Sequence, residues 1–330
     1  MPRFMTATVT EILEERPGLQ RVVTDAGRAY ALVDLTGSVA VGDEVVLNTT
    51  AVELGLGTGG WHVVHWNLRR DEWSEPGPGH IMKLRYTSLQ IDVGAAEEDH
   101  PDLPESLNGT PVVACTVHSQ VGIVTAVVRS LAPNARIVYV MTDGAALPLA
   151  LSDLIHRQRE QGTIDTTITA GHAFGGDLEA VSLPSALVLA HHVARADVII
   201  VGMGPGVVGT GSSLGTTAVE AAWVVDTVAA LGGQAGLCVR ASAADPRERH
   251  QGVSHHTATV LRLARTRPAV PLPAELAADL EGAVVVKIPD SAQEILEDLG
   301  ITSMGRGPEE DPKFFAAAVA AGVWATERAH

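Results

Sequence analysis

The sequence predicts a small all-β, barrel-like domain at residues 1–69 and, after a connector at 70–109, an α/β domain at 110–330 with a doubly wound, mostly parallel, Rossmann-like sheet. Three observations predict it. Short alternating or β-branched runs punctuated by turn residues fill the first seventy positions. From Gly109 the pattern changes to apolar runs of five to seven residues without polar alternation. Amphipathic stretches of helical length separate those runs.

In the first part the strands fall at 6–13, 20–24, 29–35, 44–49 and 61–68. Pro17-Gly18, Ala26-Gly27, Gly42-Asp43 and the 55–60 glycine cluster divide them. Several strands at short intervals with no helical period suit a small barrel or sandwich. The connector is acidic, carries Pro76-Gly77-Pro78-Gly79, and holds one expected strand at 81–89. In the second part the strand runs are 111–117, 136–141, 163–169, 197–203, 236–240 and 284–288. The expected helices are 120–132, 146–161, 182–195, 214–232, 253–266, 291–299 and 312–327.

Composition excludes several functions. There are 23 Lys+Arg against 39 Asp+Glu, a formal charge of -16, and only 5 Trp, 3 Tyr and 4 Phe. A nucleic-acid binder needs a basic field, and a single-strand platform needs aromatic faces, so no nucleic-acid partner is expected. Two cysteines, each in an apolar run, cannot make a disulfide framework or a four-cysteine zinc site. Buried thiols are the expectation. No secretory leader and no run of ~18 apolar residues stands out, so a cytoplasmic protein without membrane contact is expected.

In open α/β sheets ligands bind at the carboxyl ends of the strands. The loops expected there are rich in chemistry: His118-Ser119-Gln120, Thr142-Asp143-Gly144, the 169–179 loop, the 202–213 loop, and 245–257. Of thirteen histidines, His118, His172, His250, His255 and His256 lie in these loops. The opposite-edge loops, 132–135 and 232–234, carry little that could do chemistry.

Gly204, Gly206 and Gly209 match the GxGxxG spacing, but after the fourth strand rather than the first, and no acid ends the next strand. NAD or FAD is therefore not the expected cofactor. A Walker loop is excluded by the missing GK[ST] ending. Glycines still allow close backbone approach to an anion. Ser212 and Ser213 would then cap a helix from Leu214. The expected anion-binding set is Gly204, Gly206, Gly209, Thr210, Gly211, Ser212, Ser213, Arg247 and Arg249; a tight structural turn is the bland alternative.

His118, Asp143, His172, Asp177, Glu179, His255 and His256 are the candidate acid–base residues. A divalent metal on some of His172, Asp177, His255 and His256 is the alternative use, and structural hydrogen bonding is the bland one. Ser119, Ser212 and Ser254 lack the GxSxG context of an activated nucleophile. The segment 240–267 is locally basic, with six arginines against Asp245 and Glu248, which suits a small anion.

The phrases GHIMKLRYT, VYVMTDGAALP, GHAFGGDLEAV, GMGPGVVGTG and ADPRERHQGVSHHT together resemble the bacterial family called domain of unknown function 3866. The resemblance covers nearly the whole chain and implies no substrate or cofactor. From the residues, the expected activity is a hydrolase or group transferase acting on a small anionic, phosphorylated or nucleotide-like substrate. A non-catalytic ligand sensor and a purely structural assembly protein are the rivals. Self-association through Ala/Gly-rich helices at 214–232 and 312–327 is a further expectation.

Overall fold

Alternating strands leave one face of a sheet apolar, and a small sheet can hide that face by closing on itself. A computed structural model describes residues 1–57, 59–144 and 146–329. Thr58, in the expected 55–60 turn, lies outside the described residues. Strands β1 (Phe4–Arg16), β2 (Leu19–Thr24), β3 (Gly27–Leu32), β4 (Glu44–Asn48) and β5 (His62–Asn67) form a closed barrel in the order β1-β2-β3-β5-β4. Register shifts between Val9 and Glu11 and between Ile12 and Glu14 mark where β1 can bend to close the ring. Inside lie Ala7, Val9, Val22, Ala29, Ala31, Val45, Leu47 and Val64.

The strand expected at 81–89 stops early. Leu84 and Tyr86 take positive φ, 49° and 64°, and turn the chain so that β6 (Ile81–Lys83) pairs antiparallel with β7 (Ile91–Val93). The chain divides into two compact units, Met1–Gly94 and Ala95–His330.

The second unit carries β8 (Pro111–Cys115), β9 (Ile137–Thr142), β10 (Thr166–Ala170), β11 (Leu178–Ala180), β12 (Val198–Met203) and β13 (Gln234–Cys238). They form one all-parallel sheet in the order β11-β10-β9-β12-β8-β13. Numbered by appearance this is 4-3-2-5-1-6, which differs from the 3-2-1-4-5-6 order of dinucleotide-binding sheets. Continuous apolar runs are what a sheet covered on both faces requires. Val113, Cys115, Tyr139 and Met141 face one core with the helices His118–Leu131 and Pro312–Thr326. Val112, Ala114, Val138 and Val140 face the other, under Leu183–His192 and Glu220–Ala230.

Two expectations change. The run at 284–288 is not in the main sheet; Val284–Val285 pairs with Pro271–Leu272 in a separate two-stranded ladder. The sixth strand is instead β11, three residues within what reads as loop. The 312–326 helix is not a free face for self-association, because residues 314–325 other than Ala316 are buried against the sheet and the 118–131 helix. Gly236 has no Cβ where one would collide with the Trp324 ring, and that lets the indole pack against β13.

The topology selects an edge. From β9 the chain passes to β10 across the face that buries Ile155. From β12 it passes to β13 through the 220–230 helix on the other face. Adjacent strands whose connections part to opposite faces open a crevice at their carboxyl ends.

Candidate functional site

At the crevice, His118 opens its helix one turn after β8. Its Nδ1 lies 3.0 Å from the Met203 carbonyl, which can only accept, so Nδ1 carries the proton. Nε2 then accepts from the Ser152 hydroxyl at 2.7 Å. Ser152 also caps the Asp153–Glu160 helix through the Ile155 N–H. Burial holds the imidazole down at about 4 despite the Met203 contact, so His118 is neutral. Tyr139 donates to the Gly202 carbonyl at 3.0 Å, so the end of β12 is pinned from two sides. Ser152 is only 2% exposed and His118 half-buried, so the pair forms a part-buried clamp.

Beside it Glu220, in the first turn of its helix, sits against the backbone of Gly144. A Cβ there would come within 2.7 Å of Glu220 Oε2. Burial raises the Glu220 carboxyl to about 6; the Thr142 hydroxyl opposes the rise and the Asp143 carboxylate adds to it. Asp143 rests against Gly171, whose φ is 67°, and accepts from the His172 N–H at 3.3 Å.

The second cluster follows β13. Asp245, 1% exposed, is held by a fork from Arg247 (Nε to Oδ1 and NH2 to Oδ2, both 2.8 Å). Arg240 at 3.4 Å and Arg306 at 3.7 Å close on the same carboxylate. The hydrogen bond from Arg247 dominates in holding the Asp245 carboxyl far below the usual range. Arg306 also reaches Asp311, which accepts from the Ser242 hydroxyl and the Ala243 N–H. Three guanidinium groups thus share two buried carboxylates, and exposed Arg249 adds a fourth positive charge.

Against this positive field stand three histidines whose ligand nitrogens lie within 4.8 Å of one another: His250, His255 and His256. Ser254 organises them, capping the His255–Leu263 helix through the His256 N–H and bonding His250 Nδ1 at 2.7 Å. Burial, then the neighbouring arginines, pushes His250 down to about 4 and His256 to about 3; His255 is lowered by the same causes. All three are neutral at physiological pH. Arg240 NH1 lies 3.2 Å from His256 Nδ1. A guanidinium can only donate, so Nδ1 is the acceptor and the ring proton sits on Nε2. His255 Nε2 is buried and has no hydrogen-bond partner among the described residues.

That tautomer decides between ligand classes. A metal on His256 would take either Nε2, which forces the proton onto Nδ1 against the Arg240 donor, or Nδ1, whose lone pair Arg240 already occupies. An anion needs donors in a positive field, which the cluster supplies. The three rings are close enough to hold a metal ion, and the Arg240 contact opposes that use.

The glycine loop joins the two clusters. Gly204 packs on Met141, and Gly209, paired with Thr216 by a bridge, lies near His256 Nε2. Within it Val208, Thr210, Ser212, Gly215 and Thr217 direct their N–H groups to partners in the loop itself. Gly206, with φ of 102°, makes the turn. The helix does not begin at Leu214. Thr216 caps a short turn at Thr217–Val219 that leads into Glu220–Ala230, so Ser212 and Ser213 are not its caps. Thr210, Gly211, Ser212 and Ser213 are exposed. Those five N–H groups are held within the loop and are not presented to a ligand.

The remaining candidates are elsewhere. Asp177 forms an ion pair with Arg159 and accepts from the Thr167 N–H, tying the β10–β11 turn to the 153–160 helix. Glu179, in β11, accepts from the Gly175 N–H. Neither joins the histidine cluster, and His172 is placed by its backbone at Asp143. Ser119 donates to Ser303, and Ser254 is a buried cap. Arg240, Asp245, Arg306, Ser152 and Glu220 enter the site without having been singled out as site residues from the sequence. Arg240 reads there as a strand end and Glu220 as an ordinary first-turn acid.

Residues 28–322 match the family described as Protein of unknown function (DUF3866). The chain belongs to this family. The DUF3866 match takes in the whole parallel sheet and every loop of both clusters. No curated protein and no solved structure matches the chain.

Proposed function

We propose that this DUF3866 protein binds a small anionic ligand, phosphorylated or nucleotide-like, at the carboxyl edge of its parallel sheet. It acts on that ligand as a hydrolase or group transferase. One observation carries the reading: Arg240 at 3.2 Å from His256 Nδ1, which makes His256 Nε2 a donor in the positive field of Arg240 and Arg247. Neutral imidazole donors and uncompensated arginine charge favour an oxyanion over a metal ion. The crevice between β9 and β12 supports a Rossmann-like placement, with the ligand's anionic end near His255, His256 and Arg249 and its remainder towards Asp143 and Glu220. Thr216, near Gly209 and His256, and Glu220 are four residues apart in successive helical turns, so about 6–8 Å of chain axis separates the two ends. The carboxylates lie within reach of a substrate of nucleotide size.

No described helix is long and apolar enough to cross a membrane. Free, buried Cys115 and Cys238 suit a reducing, cytoplasmic setting. Calorimetric titration of the full chain with phosphate and with mono-, di- and triphosphate nucleotides tests the reading. We expect saturable binding that weakens in His255→Ala and Arg249→Ala and with added salt. No binding of any of these anions would refute it. Hydrolysis assays on the same panel separate an enzyme from a sensor, which would bind without turnover.

A further inference from the structure

We propose that Asp143 and Glu220, with the Thr142 hydroxyl, form a site for a hard divalent cation of the Mg2+ or Mn2+ kind at the mouth of β9. Glycines make the room: Gly144 admits the Glu220 carboxylate, and Gly171 admits that of Asp143. Neither carboxylate has a lysine or arginine partner among the described residues. Three other aspartates of the unit do have one: Asp165 pairs with Arg129, Asp177 with Arg159, and Asp245 with three arginines. Asp226 caps the Arg265 and Thr266 N–H groups. Glu220 lies against Gly144, the residue after Asp143, and is near enough for the Asp143 charge to raise it; buried charge without a counter-charge is costly.

The second observation is Thr142. Its side chain is 4% exposed, and its Oγ1 lies close enough to the Glu220 carboxylate to damp its rise, yet meets full hydrogen-bond geometry with no group among the described residues. A buried hydroxyl turned to a carboxylate without a well-formed hydrogen bond leaves room for a ligand between the two oxygens. Two carboxylates and a hydroxyl are an all-oxygen set. Mg2+ is typically bound by one or two carboxylates, with water and substrate oxygens completing its shell. The donor set differs from the imidazoles of the other cluster, which suit softer metals and lie in a positive field. A cation here and an anion there would face the same substrate from two sides. The cation site shares no residue with the anion site, so either can fail alone.

The test is titration of the full chain with Mn2+ alone, no phosphate or nucleotide present, following the free-ion electron paramagnetic resonance signal. We expect saturable binding, competed by Mg2+ and weakened about tenfold or more in Glu220→Gln and Asp143→Asn, because ligand charge sets affinity at such sites. His255→Ala should bind Mn2+ as the parent does. Circular dichroism checks folding, and the exposed Asp143→Asn carries the test if Glu220→Gln fails to fold. Absence of saturable binding at millimolar Mn2+ would overturn the proposal. So would undiminished binding in both carboxylate variants, or loss that follows His255→Ala instead. Phosphate affinity, measured separately without metal, reports on the anion site and is expected to survive Asp143→Asn.

Discussion

Acidification should weaken the fold through His118, by an amount that can be worked out. The imidazole titrates near 6.5 when unfolded and about 4 in the fold, because burial disfavours its charged form. A depressed histidine value means that the unfolded chain takes up the proton first. Its stabilisation is fully present above about 6.5 and is lost as pH falls towards about 4. Each pH unit in that window is worth about 1.4 kcal/mol, so going from pH 7.5 to 4.5 removes about 2.5 kcal/mol through this residue. His118→Gln isolates the effect. Glutamine can donate to the Met203 carbonyl and accept from Ser152, yet it does not titrate. Urea unfolding followed by helical circular dichroism reports chiefly on the second unit, which holds the longer helices. At pH 7.5 the variant should be less stable by about 1 kcal/mol, the worth of an imperfect hydrogen bond. By pH 4.5 the difference between the two proteins should shift by about 2.5 kcal/mol in favour of the variant. Parallel pH profiles would show that His118 titrates normally and that the clamp is misread.

Asp245→Asn removes the charge that Arg240, Arg247 and Arg306 share; we expect about 3–5 kcal/mol of lost stability in denaturant titrations, the range for breaking a buried pair. Gly236→Ala drives a methyl into the Trp324 ring and should cost about 1–3 kcal/mol, with a shift in tryptophan fluorescence. Thr216→Ala should cost about 1 kcal/mol as a lost cap while Ser213→Ala costs much less; equal effects in thermal melts would return the cap to the serine.

How far the sequence discloses this protein differs between strand, sheet and site. Parallel strands buried on both faces must be continuously apolar, so β8, β9 and β12 are legible almost to the residue. An apolar run states burial but not partnership, which is why 284–288 reads as a sheet strand although only Val284–Val285 is extended, in a separate ladder. β11 is too short and too polar at Glu179 to show any period. The density of histidines in the loops marks one edge of the sheet, but convergence depends on folding: His250, His255 and His256 meet, while Asp177 is claimed by Arg159. Most hidden was the part played by Arg240. Nothing in GLCVR says that its guanidinium reaches a histidine sixteen residues away and sets its tautomer. The Gly204–Ser213 composition reads as an anion cradle; folding spends the Thr210 and Ser212 hydroxyls on each other and on the Gly215 N–H, which composition cannot show.

Nitrogen-15 spectra of histidine-labelled protein, recorded as inorganic phosphate is added, test the anion reading most directly. His256 should appear as the neutral tautomer with the proton on Nε2, and phosphate should shift the His255 and His256 signals saturably. A His256 proton on Nδ1, with phosphate silent and one Zn2+ bound per chain to the three rings, would contradict it.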